Sequence, residues 1–249
     1  MATIAVGDIH GNLPALRDML GQLRHEAGDD DTVAFLGDYI DRGPDSRGCI
    51  DAILEFEAEA TASVVCLCGN HEDWLLRTLD GFARHSWLLG MEAIDTVQSH
   101  SPRAAQVLHE AASGAGLDLI VGRVRLPYEV FFNLMPPSHL QFLRRLTPYC
   151  MTTECLCAHG GLDPRVPRLL DQSREAFIWG GDGFPEQYDG IDTVLYGHRD
   201  NADVDGDGWP TPRTVGRTIG LDTIGHGVLT AVRLPDGRLF QSARHRLTG

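Results

Sequence analysis

The sequence predicts an α/β fold, and three observations carry the prediction. Short apolar runs rich in β-branched residues stop abruptly at polar, glycine-containing turns. Helical stretches with apolar residues on one face separate these runs. Most of the Asp, Asn and His residues with metal or acid–base chemistry follow the runs directly, where loops at the carboxyl ends of strands gather ligands.

In chain order, the first strand is Thr3 to Val6 before Gly7, the second Thr32 to Leu36 before Gly37, and the third Ser63 to Leu67 before Gly69. Between them lie helices at Pro14 to His25, with Leu16, Met19, Leu20 and Leu23 on one face, and at Ser46 to Ala60, with Ile50, Ile53 and Leu54 aligned. This β-α-β-α-β order layers a sheet with helices. From Trp74 to Leu79 and again from Pro102 to Gly114 the pattern is helical, punctuated by Gly81, Gly90 and Gly114-Ala115-Gly116. Pro136-Pro137-Ser138 opens a helix that runs to Leu146. Strands return at Cys155 to Ala158, Thr193 to Tyr196, Thr218 to Leu221 and Val228 to Leu234, and a Pro235-Asp236-Gly237 turn joins the last to Arg238 to Gln241 as a hairpin.

With 249 residues and 43% hydrophobic content, the chain can bury a full core, and one domain over 1–249 is expected. The formal net charge of −14 argues against general nucleic-acid binding, which needs clustered Lys and Arg to displace counterions. An acidic protein that handles anionic phosphates must reverse its charge locally, and metal ions do so most compactly. No stretch approaches the length of a membrane helix, and a cytoplasmic protein is expected. The close cysteine pairs Cys66/Cys68 and Cys155/Cys157 have C-x-C spacing, so each pair shares one face of a strand; they read as reduced, buried small hydrophobes.

Asp8 and His10 follow the first strand, Asp38 the second, Asn70 and His71 the third, and His159 and His198 later ones. Carboxylate oxygens and imidazole nitrogens suit divalent transition metals, and Asp38 can bridge two of them. Such a pair generates a hydroxide near neutral pH and binds both oxygens of an in-line displacement. A single Asp or His after a strand is commonly a cap or turn residue, but independent capping does not produce this ordered set.

The motifs Gly7-Asp8-Ile9-His10-Gly11, Gly37-Asp38-Tyr39-Ile40-Asp41-Arg42-Gly43, Gly69-Asn70-His71-Glu72, Ala158-His159-Gly160-Gly161 and Gly197-His198 resemble the ordered set of calcineurin-like metallophosphoesterases. More narrowly they resemble the branch that includes bacterial Ser/Thr protein phosphatases and symmetrical diadenosine tetraphosphatases. The resemblance implies a four-layer α/β/β/α sandwich with a helical insertion near residues 74–150. It places one divalent ion on Asp8, His10 and Asp38 and a second on Asp38, Asn70, His159 and His198. Manganese is the expected metal, with iron, zinc, cobalt or magnesium as alternatives. His71, oriented by Asp41, would protonate the leaving group, and Arg42 would clamp the phosphate. The implied reaction is phosphomonoester hydrolysis, with phosphoserine or phosphothreonine in proteins as substrate. Symmetrical cleavage of a dinucleoside polyphosphate is the alternative, and a non-catalytic metal-binding scaffold is an alternative of another class.

The sequence departs from the family pattern where substrate is held. Cys68 stands where an Arg often precedes Gly-Asn-His-Glu, and Gly180-Gly181-Asp182-Gly183 follows Trp179 where relatives carry an Arg. Arg174, Arg199 and Arg213 are candidate substitutes, though a solvated role is the default for each. Glu72 is expected to serve a helix N-terminus, and His226 is a candidate substrate contact. Asp203, Asp205 and Asp207 form half of an EF-hand-like loop, but Thr214 replaces its closing Glu, so an acidic turn is expected in place of structural calcium.

Overall fold

The computed structural model describes residues 1–81 and 84–247. Its first half follows the predicted order: β1 (Thr3–Val6), α1 (Leu13–Glu26), β2 (Thr32–Phe35), α2 (Ser46–Glu59), β3 (Ser63–Cys66) and α3 (Asn70–Leu79). A helical insertion follows, α4 (Ser86–Gly90), α5 (Ile94–His100), α6 (Pro102–Ala115), α7 (Leu117–Ile120), α8 (Glu129–Phe132) and α9 (Pro137–Arg144). The second half comprises β4 (Tyr149–Met151), β5 (Leu156–Ala158), α10 (Arg174–Trp179), β6 (Val194–Tyr196), β7 (Ala202–Val204), β8 (Pro210–Val215), β9 (Thr218–Gly220), β10 (Thr230–Leu234) and β11 (Arg238–Gln241).

These strands build two mixed sheets, ordered β11-β10-β1-β2-β3 and β4-β5-β6-β9-β8-β7. Period-two alternation explains why they stack. Ile4 and Val6 of β1, with Val33 and Phe35 of β2, face α1 and α2, where they join Leu16, Met19, Ile50 and Ile53. The opposite faces carry Ala5, Ala34, Cys155, Cys157, Leu195 and Val232, which meet between the sheets. Leu156, Ala158, Val194 and Tyr196 face outward against Phe177 and Phe184. The cysteines are all free, and the Cys155/Cys157 pair is buried in this inter-sheet layer. Truncating one of these fully buried side chains, Leu16→Ala for example, costs about 2–5 kcal/mol.

The insertion is anchored by Trp87 of α4, which is fully buried and stacked on Phe131 at 5.7 Å and Phe132 at 6.1 Å between ring centroids. No helix among the described residues is long and apolar enough to cross a membrane.

Among the features that differ from the sequence expectation are two helix bounds and an acidic segment. Helix α3 starts at Asn70 and not at Trp74, because Glu72 at its third position receives the Gly69 amide at 3.0 Å and closes the first turn. The α9 helix stops at Arg144, short of Leu146. The acidic segment is the tip of a β7–β8 hairpin in which Asp205 Oδ1 accepts the Asp207 and Trp209 amides at 2.9 and 2.8 Å. Its aspartates and Pro210 and Pro212 hid both strands from propensity reasoning.

Candidate metal centre and catalytic site

The parallel pairings are β1–β2, β2–β3, β5–β6 and β6–β9. Asp8, Asp38, Asn70, His159, His198 and Asp222 each lie within four residues of the carboxyl end of one of these strands. Six distant positions thereby reach one end of both sheets.

The backbone there is strained. His10, Asp38, Asp41, Arg42 and His198 all take positive φ, between 46° and 75°. Contacts hold them. The Asp38 carbonyl accepts the amides of Ile9 and His10 at 3.1 and 2.8 Å. Glu72, fully buried, accepts the amides of Asp38 and Tyr39 at 2.9 Å each. Burial and the Asp38 charge push the Glu72 carboxyl up to about 7, while these amides favour its charged form. The sequence suggested only a helix cap for Glu72; its second role needed the fold.

Asp38 is common to two clusters of possible ligands, one with His10 and His71, the other with His159 and His198. His159 Nδ1 lies 3.0 Å from the Leu36 carbonyl, so that nitrogen carries the proton. The Nε2 lone pair then faces Asn70 Oδ1 at 2.9 Å and Asp38 Oδ1 at 3.4 Å, both acceptors. His198 Nδ1 also approaches Asn70 Oδ1, at 2.9 Å. Lone pairs converging on one buried point fit a cation. Asn70 is turned this way because its amide NH2 is directed to Met91 Sδ at 3.7 Å. His10 shows the same second-layer pattern, with Nδ1 3.0 Å from the Ile40 carbonyl. Burial first, and neighbouring positive groups second, lower His10 and His198 to about 3, so both are neutral at pH 7. Two buried atoms, Asp38 Oδ2 and His71 Nε2, have no hydrogen-bond partner, and they lie 3.8 Å apart. The residues present therefore fit a divalent metal pair.

Asp8 is buried nearby and accepts the His198 amide at 3.0 Å. Burial and the Asp222 and Asp38 carboxylates push it well above the ordinary carboxylate range. Burial and Asp38 likewise raise Asp222 to about 6. Arg42 Nη1 donates to His10 Nε2 at 2.9 Å, occupying the lone pair that a metal would use.

His71 Nδ1 lies 2.8 Å from Asp41 Oδ2, and both side chains are fully buried. Burial alone would lower His71, but Asp38 and Asp41 overcome it and raise the imidazole to about 8. The pair is a charged acid aimed at the cluster. Around it, Arg174 is bound to Asp73 and lies 3.4 Å from Cys68 Sγ, Arg213 pairs with Glu186 at 3.1 Å, and His226 pairs with Asp200. Arg199 and Arg213 line a cleft with His198, Trp179 and Tyr196.

The sequence profile described as calcineurin-like phosphoesterase matches residues 1–226. Over 93% of the chain and 89% of the relative, the sequence is 28% identical to an asymmetrical bis(5'-nucleosyl)-tetraphosphatase, PrpE, of Geobacillus thermodenitrificans. It is 28% identical to serine/threonine-protein phosphatase PP1-1 of Saccharomyces cerevisiae over 68% of the chain but 41% of that protein. The fold is shared with a cold-active protein-tyrosine phosphatase of a Shewanella species, at a TM-score of 0.52 and 15% identity over 97% of this chain and 80% of that one. The chain belongs to the calcineurin-like phosphoesterase family and is a phosphate-ester hydrolase.

Proposed function

We propose that the chain is a dinuclear-metal phosphoesterase in which Asp8, His10 and Asp38 hold one divalent ion and Asp38, Asn70, His159 and His198 the other. The observation that carries this reading is the convergence of His159 Nε2, His198 Nδ1 and Asn70 Oδ1 beside a carboxylate shared with His10. Such ions supply a water acidified towards neutrality and neutralise phosphate charge. Manganese is the proposed occupant, since the donors are oxygen and imidazole nitrogen with no thiolate among them. The free cysteines support a reducing compartment, the cytoplasm.

The protein's own residues do the rest. Arg42 must release His10 for that ring to serve as a ligand, which frees its planar fork for two phosphate oxygens. His71 holds its transferable proton on Nε2, the face turned away from Asp41, and delivers it to the departing oxygen. Asp41 keeps the opposite nitrogen protonated.

For substrate, a dinucleoside tetraphosphate is favoured by the relative matched along nearly its whole length. Phosphoserine or phosphothreonine in proteins is the second reading, supported by the partial match to a serine/threonine phosphatase. Turnover of diadenosine tetraphosphate, a phosphopeptide and p-nitrophenyl phosphate, each with Mn, Co and Mg, separates them. A kcat/KM for the dinucleotide at least tenfold above the others supports the first reading, and the reverse order replaces it. Absence of turnover on all three with metals bound would leave only a scaffold.

A further inference from the structure

The helical insertion supplies two side chains to the catalytic pair. Thr96 of α5 donates its hydroxyl to Asp41 Oδ1, and Trp87 of α4 donates its indole N–H to Asp41 Oδ2 at 3.0 Å. Thr96, Trp87, Asp41 and His71 are all fully buried. Thr96 has one proton to give, and the Asp41 carboxylate takes it. Ser46 Oγ, 3.0 Å from Thr96 Oγ1, then donates back to Thr96. The same Thr96 oxygen accepts the Asp41 amide at 2.8 Å, which helps hold this residue at φ 69°. Asp41 thus receives donors on both oxygens and is fixed in rotation. Its Oδ2 can meet His71 Nδ1 only from one direction. Helix α5 is in turn tied to the body through His100, which lies 3.1 Å from His139, whose other ring nitrogen meets Asp51 at 2.8 Å.

We infer that Thr96 and Trp87 are positioning residues for phosphoester cleavage: they clamp Asp41 so that His71 presents a protonated Nδ1 to it and its Nε2 to the leaving group. The insertion is then part of the proton-delivery apparatus as well as a wall of the site. This inference rests on the acid role proposed for His71. A rotated Asp41 leaves His71 free to change tautomer or tilt, and small misplacements of an acid are expensive in rate.

The test uses the metal-loaded enzyme and two aryl phosphates. The p-nitrophenolate leaving group departs without a proton, whereas phenoxide needs one. Thr96→Val removes the hydroxyl at nearly constant volume. It is expected to lower kcat on phenyl phosphate by about tenfold or more relative to p-nitrophenyl phosphate. Thr96→Ser keeps the hydroxyl and restores the ratio to within about twofold. Trp87→Phe moves the ratio in the same direction, and because a ratio is insensitive to the folded fraction, partial unfolding does not obscure it. Equal losses on both substrates, or no loss, would overturn the inference. His71→Asn serves as reference: if its own ratio is flat, the acid role itself fails, whereas a shifted ratio there beside an unshifted one in Thr96→Val removes only the clamp. Independently, nitrogen NMR of the metal-free protein at a pH well above 8, where the imidazolium has lost its Nε2 proton, should show neutral His71 as a single Nδ1–H tautomer in the native chain and a mixture of tautomers in Thr96→Val. An unchanged spectrum counts against the clamp.

Discussion

The Glu72 carboxylate accepts the amide of Asp38 at 2.9 Å, tying the start of helix α3 to the loop that carries the carboxylate shared by both ligand clusters. Asp38 holds φ 52°, which a non-glycine residue keeps only under constraint. Glu72→Gln replaces one acceptor oxygen by a donor facing amides, and the buried loop loses at least one bond at a cost of about 1–3 kcal/mol. Metal affinity should fall about 10–100-fold, the usual consequence of losing an outer-layer support. Calorimetric titration with Mn checks this, and native affinity in the variant would show that the loop holds itself.

His71→Asn should lower kcat by about two to four orders of magnitude with metals still bound. The residue contributes no unique ligand to the His159/His198 cluster, so metal content measured by elemental analysis should be unchanged there. Full activity on phenyl phosphate would remove His71 from the mechanism.

Metal uptake should be proton-linked, and the sign follows from the carboxylates. Burial with Asp222 and Asp38 raises Asp8, and burial with Asp38 raises Asp222 to about 6. Below that pH the metal-free pair retains protons that a cation must expel, so affinity rises with pH through this range. His10 and His198, lowered to about 3, are already neutral and release nothing in this range. Titrations in two buffers of different ionisation enthalpy should report net proton release on metal uptake at about pH 5.5. A pH-independent affinity would contradict the raised carboxylates.

Strand-end loops in layered α/β chains converge, so position grouped Asp8, His10, Asp38, Asn70, His71, His159 and His198 as candidate site residues, and the family resemblance separated six proposed ligands from the acid His71. The structure places all six at one end of the sheets. Thr96 and Trp87 were not legible. Their partner Asp41 lies 55 and 46 positions away, and neither sits after a strand or in a motif. Nor was α10, whose six residues Arg174–Trp179 are too few to show a helical period, or the β7–β8 hairpin, where Asp and Pro oppose strand propensity. Local pattern reveals elements that stabilise themselves, and misses those made by distant contacts.

Glycines at Gly197 and Gly21 offer a paired test of how tightly the site is built. A Cβ at Gly197 would fall 1.9 Å from Asp8 Oδ1, while Asp8 is pinned by the adjacent His198 amide and cannot retreat freely. Gly197→Ala should therefore push Asp8 and His198 apart, destabilise the protein by about 1–3 kcal/mol as overpacking does, and reduce metal binding more than stability alone explains. Gly21 lies within helix α1 with nothing within 4 Å of its would-be Cβ. Gly21→Ala should instead stabilise by about 0.5–1 kcal/mol through helix propensity and raise Tm by about 1–4 °C. Thermal melts of both variants, with and without Mn, decide the matter. If Gly197→Ala melts and binds metal like the native chain, the close packing of Asp8 against the His198 loop is not what positions these ligands.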